Sequence, residues 1–188
     1  MDTETFSLFA ALLAVVAALG AIGLVVLRLI SGRSPFAADV LGAVHAIRFP
    51  LAALVAAASM GGSLYFSEVA GFPPCRYCWW QRFAMYPLVL VLGVAAVSSN
   101  RWLPRLATAM ATIGAGIAAY HYQLQRFPDQ GSSCDATAPC TAIWVEELGF
   151  VTIPAMAFAG FAAILALIWA PRAVRQTAFV EDELVAQG

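Results

Sequence analysis

The chain has 188 residues, of which 62% are hydrophobic and only 11% charged, and its ten basic and eleven acidic side chains leave a net charge of −1. Soluble domains carry roughly 25% charged residues, so this composition excludes a water-exposed globule, and the apolar content excludes a disordered chain. The balanced charge leaves no footprint for nucleic acid as a partner.

Five stretches free of formal charge divide the chain: residues 5–27, 49–67, 83–100, 106–125 and 148–171. Each is close to or above the roughly 20 residues a helix needs to cross a hydrocarbon core about 30 Å thick. Backbone groups in lipid must satisfy one another, so these stretches are expected to be helices. The first follows Met1-Asp2-Thr3-Glu4, an acidic start unlike the basic one of a secretory signal, and is read as a retained helix. The connections, residues 28–48, 68–82, 101–105 and 126–147, are short. The expected fold is therefore all-α, a polytopic membrane helix bundle. In the fourth stretch Ala109, Gly114, Gly116 and Ala118 would let a neighbouring helix approach closely, although an alanine-rich chain also scatters small residues everywhere.

Arginine placement orients the bundle. Arg28, Arg33, Arg48, Arg101, Arg105, Arg172 and Arg175 fall on one side, and Arg76, Arg82 and Arg126 on the other. The more basic side is expected in the cytoplasm, with the N-terminus outside and the Glu181-Asp182-Glu183 tail inside.

Cys75 and Cys78 lie between the second and third stretches, Cys134 and Cys140 between the fourth and fifth. Two crossings separate the loops, so both pairs share one membrane face. The arginine count makes that face extracytoplasmic, where disulfides persist. Around the first pair the sequence reads Pro73-Pro74-Cys75-Arg76-Tyr77-Cys78-Trp79-Trp80-Gln81-Arg82. The prolines are expected to end one helix, and the next to begin at or just after Cys78, where free N–H groups favour a thiolate. Arg82, four residues on, can share a helical face with the Cys78 sulfur, and Trp79 and Trp80 suit the membrane–water boundary. The second pair sits in a Gly-, Ser-, Asp- and Pro-containing loop of about 20 residues, long enough at about 3.3 Å per residue to reach both a soluble partner and the first pair. Five residues separate Cys134 from Cys140, so the two can bond to each other.

Four cysteines in two pairs also fit a zinc site or two structural disulfides. Zinc is set aside because neither loop contains a histidine, and no metal is assigned. Structural bridges are set aside because they usually staple domains with too little core. Thiol–disulfide exchange is the reading that remains, with a non-enzymatic scaffold carrying two structural disulfides as its alternative. Near the same face His121 lies inside an uncharged stretch, and ionisable groups at membrane depth are functional candidates. Gln125, one turn on, shares its face and is grouped with it as a candidate cofactor contact. Met85 and Tyr86 either line the same cavity or pack, and His45 is assigned nothing.

The run Pro74-Cys75-Arg76-Tyr77-Cys78-Trp79-Trp80-Gln81-Arg82, followed by Met85-Tyr86-Pro87-Leu88, resembles the disulfide bond formation protein B (DsbB) family, and within it the variant called BdbC. His121-Tyr122-Gln123-Leu124-Gln125 with Pro128 is similar to the end of that family's third helix. Pro139-Cys140-Thr141 and Gly149-Phe150-Val151-Thr152-Ile153-Pro154 are similar to the start of its last. The resemblance covers about residues 45–171. The vitamin K epoxide reductase family also pairs four helices with two cysteine pairs, but there the C-x-x-C follows the loop cysteines, whereas here it precedes them.

The resemblance implies a bacterial inner-membrane oxidoreductase that passes electrons to a lipid-soluble quinone, ubiquinone or menaquinone, and reoxidises a thioredoxin-fold thiol oxidase of the DsbA or BdbD type. By position, Cys134 would form the mixed disulfide with that partner and Cys140 would resolve it. Electrons would then pass to Cys75 and Cys78. Cys78 would lie against the quinone ring, Arg82 would polarise a quinone oxygen and His121 would sit near the ring. The family usually has four spans, so residues 1–43 read as an extra helix and linker, 44–171 as the four-helix core and 172–188 as a cytoplasmic tail.

Overall fold

The structure, a computed structural model, describes residues 2–130, 134 and 137–170. Arg172, Arg175, the acidic tail and loop residues 131–133, 135 and 136 lie outside the described residues. Among the described residues five helices form the bundle: α1 Thr3–Ile30, α2 Pro35–Leu64, α3 Arg76–Val97, α4 Trp102–Arg126 and α5 Ile153–Ile168. The Asp2 carboxylate accepts the Thr5 N–H at 3.3 Å to cap α1, and the Ser34 hydroxyl accepts the Ala37 N–H at 3.3 Å to cap α2, with Pro35 at its first turn. A π-helical turn, Tyr65–Val69, extends α2. Gly71, at φ 73°, then reverses the chain into a left-handed conformation natural to glycine. The α2 helix has thus already ended before Pro73 and Pro74, which follow that reversal.

α1, α2 with its π turn, and α3 are long and apolar enough to cross a membrane. The fourth and fifth uncharged stretches behave differently. α4 has 25 residues but is not among those apolar helices. Thr108, Thr112, Tyr120, Tyr122, Gln123 and Gln125 carry no charge yet are polar, and freedom from charge is not apolarity. α5 has 16 residues, about 24 Å at 1.5 Å per residue, so the expected 148–171 helix is shortened at its start. Residues there turn instead: β1 Glu146–Glu147 pairs antiparallel with β2 Val151–Thr152, across a reversal in which Leu148 and Gly149 have φ 55° and 75°.

α5 is the inner helix, packed against α1, α2 and α4, and Phe161 and Ile164 on it are fully buried. The fit is close at Gly114, where a Cβ would lie 2.3 Å from Cζ of Phe161. Ala118 is likewise buried, whereas Ala109 and Gly116 face outward, so two of the four small residues serve helix approach. Met85 belongs to this core with Leu88 and Leu92.

α1 packs on the bundle along α5. At one end the Ser7 hydroxyl donates to the Glu147 carboxylate. At the other, Arg28 donates to the Trp169 carbonyl at 2.7 Å, close to where the His45 ring meets the Ala170 carbonyl at 2.7 Å. The outer face of α1 exposes Leu12, Val16, Leu19 and Ile22, as a lipid-facing helix does.

Candidate active site

Cys75 is the N-cap of α3, and its sulfur accepts the Cys78 N–H at 3.4 Å. The helix therefore starts at Arg76, two residues earlier than expected, because the thiol itself satisfies a donor of the first turn. Cys78 lies in that first turn. The two sulfurs are 3.0 Å apart and both thiols are free. Cys75 is buried and Cys78 is half-buried.

His121 comes from the last turns of α4 and is 2% exposed. Its Nε2 lies 3.1 Å from the Cys140 carbonyl oxygen and 3.5 Å from the Cys75 sulfur. A carbonyl only accepts, so Nε2 carries the hydrogen. Nδ1 then accepts from the Gln81 amide at 3.0 Å. The Cys75 thiol is held well below the usual thiol range, first by its hydrogen bond with the Cys78 thiol and, against the opposing effect of burial, by the His121 ring.

Cys134 and Cys140 are joined in a disulfide with Cα atoms 5.9 Å apart. Cys140 is fully buried and its backbone rests on His121, so two pairs from different loops meet at one end of the bundle. Gln125 is buried on the same face, and its amide donates to the Ala142 carbonyl at 2.9 Å. Its Oε1 is buried with no partner among the described residues. Cys75, Cys78, His121 and Gln125, with Pro139, Trp144 and Ile153, line a cavity of about 20 Å³. That volume holds about one water.

Arg82 is not part of that lining. Its Nε and Nη2 donate to the hydroxyl and carbonyl oxygens of Ser63 on α2, at 3.0 and 2.9 Å, and its guanidinium lies 5.3 Å from the Trp79 ring centroid. Tyr86 donates to the same Ser63 hydroxyl at 3.3 Å, so Tyr86 buttresses Arg82 and does not line the cavity. Sequence reasoning assigned no role to Gln81 or Ser63. Gln81 was signalled by its spacing, three residues after Cys78 on a helix. Ser63 had no signal, since its partner is 19 residues away. The absence of histidine from both loops did not keep one from the thiols, because α4 delivers His121.

Residues 45–171 match the family model described as disulfide bond formation protein DsbB. The chain is 45% identical over 106 residues (55% of this chain, 76% of the relative) to the "probable disulfide formation protein C 1" of Bacillus cereus. It is 41% identical over 114 residues (60% of this chain, 83% of the relative) to the disulfide bond formation protein C of Bacillus subtilis. No solved structure matches.

Proposed function

The chain belongs to the disulfide bond formation protein DsbB family, and from that premise we propose that this integral membrane protein is a protein-dithiol:quinone oxidoreductase that regenerates an extracytoplasmic thiol oxidase of thioredoxin fold. The observation that carries the reading is the double contact of His121 Nε2, with the Cys75 sulfur and with the Cys140 backbone. It sets a loop disulfide beside a dithiol at a helix N-terminus. The free thiols of Cys75 and Cys78 speak against two structural disulfides.

The relay runs by thiolate attack. A thiolate of the reduced partner attacks Cys134 and Cys140 departs as the leaving thiolate. The resolving role expected of Cys140 would return the partner still reduced, so the mixed disulfide breaks instead when the partner's second thiolate attacks it. The partner leaves oxidised, and Cys134 and Cys140 hold the electron pair as two thiols. One of these attacks an oxidised Cys75–Cys78 bond, re-forms the loop disulfide and leaves Cys75 and Cys78 reduced, the state the structure displays. Each exchange moves two electrons and two protons. His121 holds a hydrogen between Cys75 and the loop, placed to follow the proton as the Cys75 sulfur gains or loses charge.

The cavity chemistry fits a quinone and its quinol: a redox dithiol and a ring N–H, which can donate to a quinone oxygen, meet apolar walls, and the unpartnered Gln125 Oε1 can accept only from a quinol hydroxyl. Cys78, His121 and Gln125 would hold it there, with Arg82 as a nearby cation one turn beyond Cys78. When bound, such a group supplies the oxidising power and takes up two electrons and two protons. The closed cavity admits a water-sized molecule only, so Trp144 must yield or the ring must lie at the mouth. The positive-inside pattern supports a cytoplasmic membrane location with this end facing outward.

The test mixes the purified chain with a reduced thioredoxin-fold oxidase and a soluble quinone. The expected result is one quinone reduced for each partner disulfide formed. Partner oxidation that continues unchanged without quinone would refute the reading.

A further inference from the structure

The same cluster carries a second chemistry. The two free sulfurs and a ring nitrogen of His121 lie within 4.8 Å of one another. We infer that the reduced protein binds a borderline-soft divalent cation, zinc being the type, through the Cys75 and Cys78 sulfurs and His121 Nε2. The binding does not depend on the quinone reading, since it requires only that both thiols be reduced.

One edge of this triangle already has the length a tetrahedral site needs. With Zn–S near 2.3 Å and Zn–N near 2.0–2.1 Å, tetrahedral edges are about 3.5 Å from sulfur to nitrogen and about 3.8 Å from sulfur to sulfur. The Cys75–His121 edge is already 3.5 Å. The Cys75–Cys78 edge, at 3.0 Å, must open, and Cys78 is the half-buried partner with a cavity beside it. That cavity has room for one water as fourth ligand. The unpartnered Oε1 of Gln125 on its wall supplies the acceptor such a water needs. Behind the ring stands Gln81, bonded to Nδ1, in the place where metal-bound histidines keep an outer partner.

Binding forms two Zn–S bonds and one Zn–N bond as the ion sheds bound water; both sulfurs bind as thiolates, and the Cys78 thiol gives its proton to solvent. The ring hydrogen moves from Nε2 to Nδ1, where Gln81 accepts it through its oxygen after an amide turn. His121 thereby releases the Cys140 carbonyl. A two-electron oxidant, a quinone or diamide, that takes the electron pair of the two thiolates forms the Cys75–Cys78 bond, breaks both Zn–S bonds and ejects the ion, so the site belongs to one redox state. Soft thiolate and imidazole donors select such ions over magnesium or calcium.

The probe is Co²⁺, titrated into the detergent-solubilised full chain with Cys134 and Cys140 both replaced by Ser, so that Cys75 and Cys78 are the remaining thiols. The reduced protein should bind one Co²⁺ with a thiolate charge-transfer band and tetrahedral visible bands, and Zn²⁺ should displace it. The oxidised protein should show neither. Gln81→Ala should weaken binding about tenfold and His121→Ala more. His121→Cys should keep the tetrahedral spectrum with a stronger charge-transfer band, an outcome a purely structural histidine would not give. Zn²⁺ should also slow diamide oxidation of the dithiol. An octahedral spectrum, equal binding by the oxidised protein, or unchanged affinity in His121→Ala would overturn the inference.

Discussion

The two cysteine pairs occupy the same end of the bundle but are built differently. Cys75 and Cys78 ride the first turn of α3, where helix geometry fixes their spacing and N–H contacts, and packing of α4 sets His121 against them. Cys134 and Cys140 belong to a loop, and Cys134 remains partly accessible while Cys140 is buried against His121. The contrast separates two demands on a relay. The pair that meets a large, variable protein needs reach, and the pair that hands on electrons needs a fixed electrostatic setting.

The largest expected effect follows from this division of labour. Cys78→Ser should lower quinone reduction at least about 1,000-fold whether the donor is a protein or a small dithiol, since members of a reacting unit fail together. Cys134→Ser should abolish turnover with a protein donor yet leave dithiothreitol-driven quinone reduction within about threefold. Steady-state assays with the two donors check both, and equal losses with both donors would erase the distinction between the pairs.

His121→Ala should cost about 100-fold in turnover, the lower end of the range for a positioned proton-transfer group. It should also move the pH profile. In the native protein the Cys75 thiolate persists below the ordinary thiol pKa of about 8.5. Its stabilising effect is fully present above that value and is lost as pH falls through the depressed one. Without the ring the Cys75 pKa rises, so the acid limb should shift to higher pH. Thiolate absorbance followed against pH reads this directly, and an unmoved limb would remove His121 from the account.

Arg82→Ala should raise the apparent KM for quinone about tenfold, equivalent to about 1.4 kcal/mol. Ser63→Ala should do so less, because Ser63 acts by aiming the guanidinium. An unchanged KM in Arg82→Ala would confine that side chain to fastening α3 onto α2. The smallest effect on chemistry lies farthest from the thiols. Gly114→Ala drives a methyl group into Phe161 and should destabilise the bundle by about 1–3 kcal/mol, whereas Gly116→Ala, open to its surroundings, should be nearly neutral in a thermal-unfolding assay.

Much of this arrangement was legible before the fold. Charge-free stretches located the helices, and the two stretches between the cysteine loops implied the shared end of the bundle at which the structure places both pairs. His121 stood out as an ionisable residue in an uncharged stretch. The rest depended on three-dimensional facts. Hydropathy alone does not show that α5 begins only at Ile153, since a short apolar hairpin and apolar helix look alike in it; the local marks are Gly149 in the turn and Pro154 in the first turn of α5. The start of α3 was misplaced because cysteine is an uncommon cap, and the thiol's acceptance of the Cys78 N–H replaces the serine or aspartate usually sought there. The Arg82–Ser63 bond and the Gln81–His121 bond join separate helices, and such pairings are set by packing rather than by spacing along the chain.

The most direct measurement leaves one cysteine in each pair. In a Cys78→Ser, Cys134→Ser double variant, mild oxidation should join Cys75 to Cys140, and peptide mass mapping should recover that cross-link as the main product. Two thiols that both remain free, or that pair only between separate molecules, would contradict the meeting of the pairs on which the relay depends.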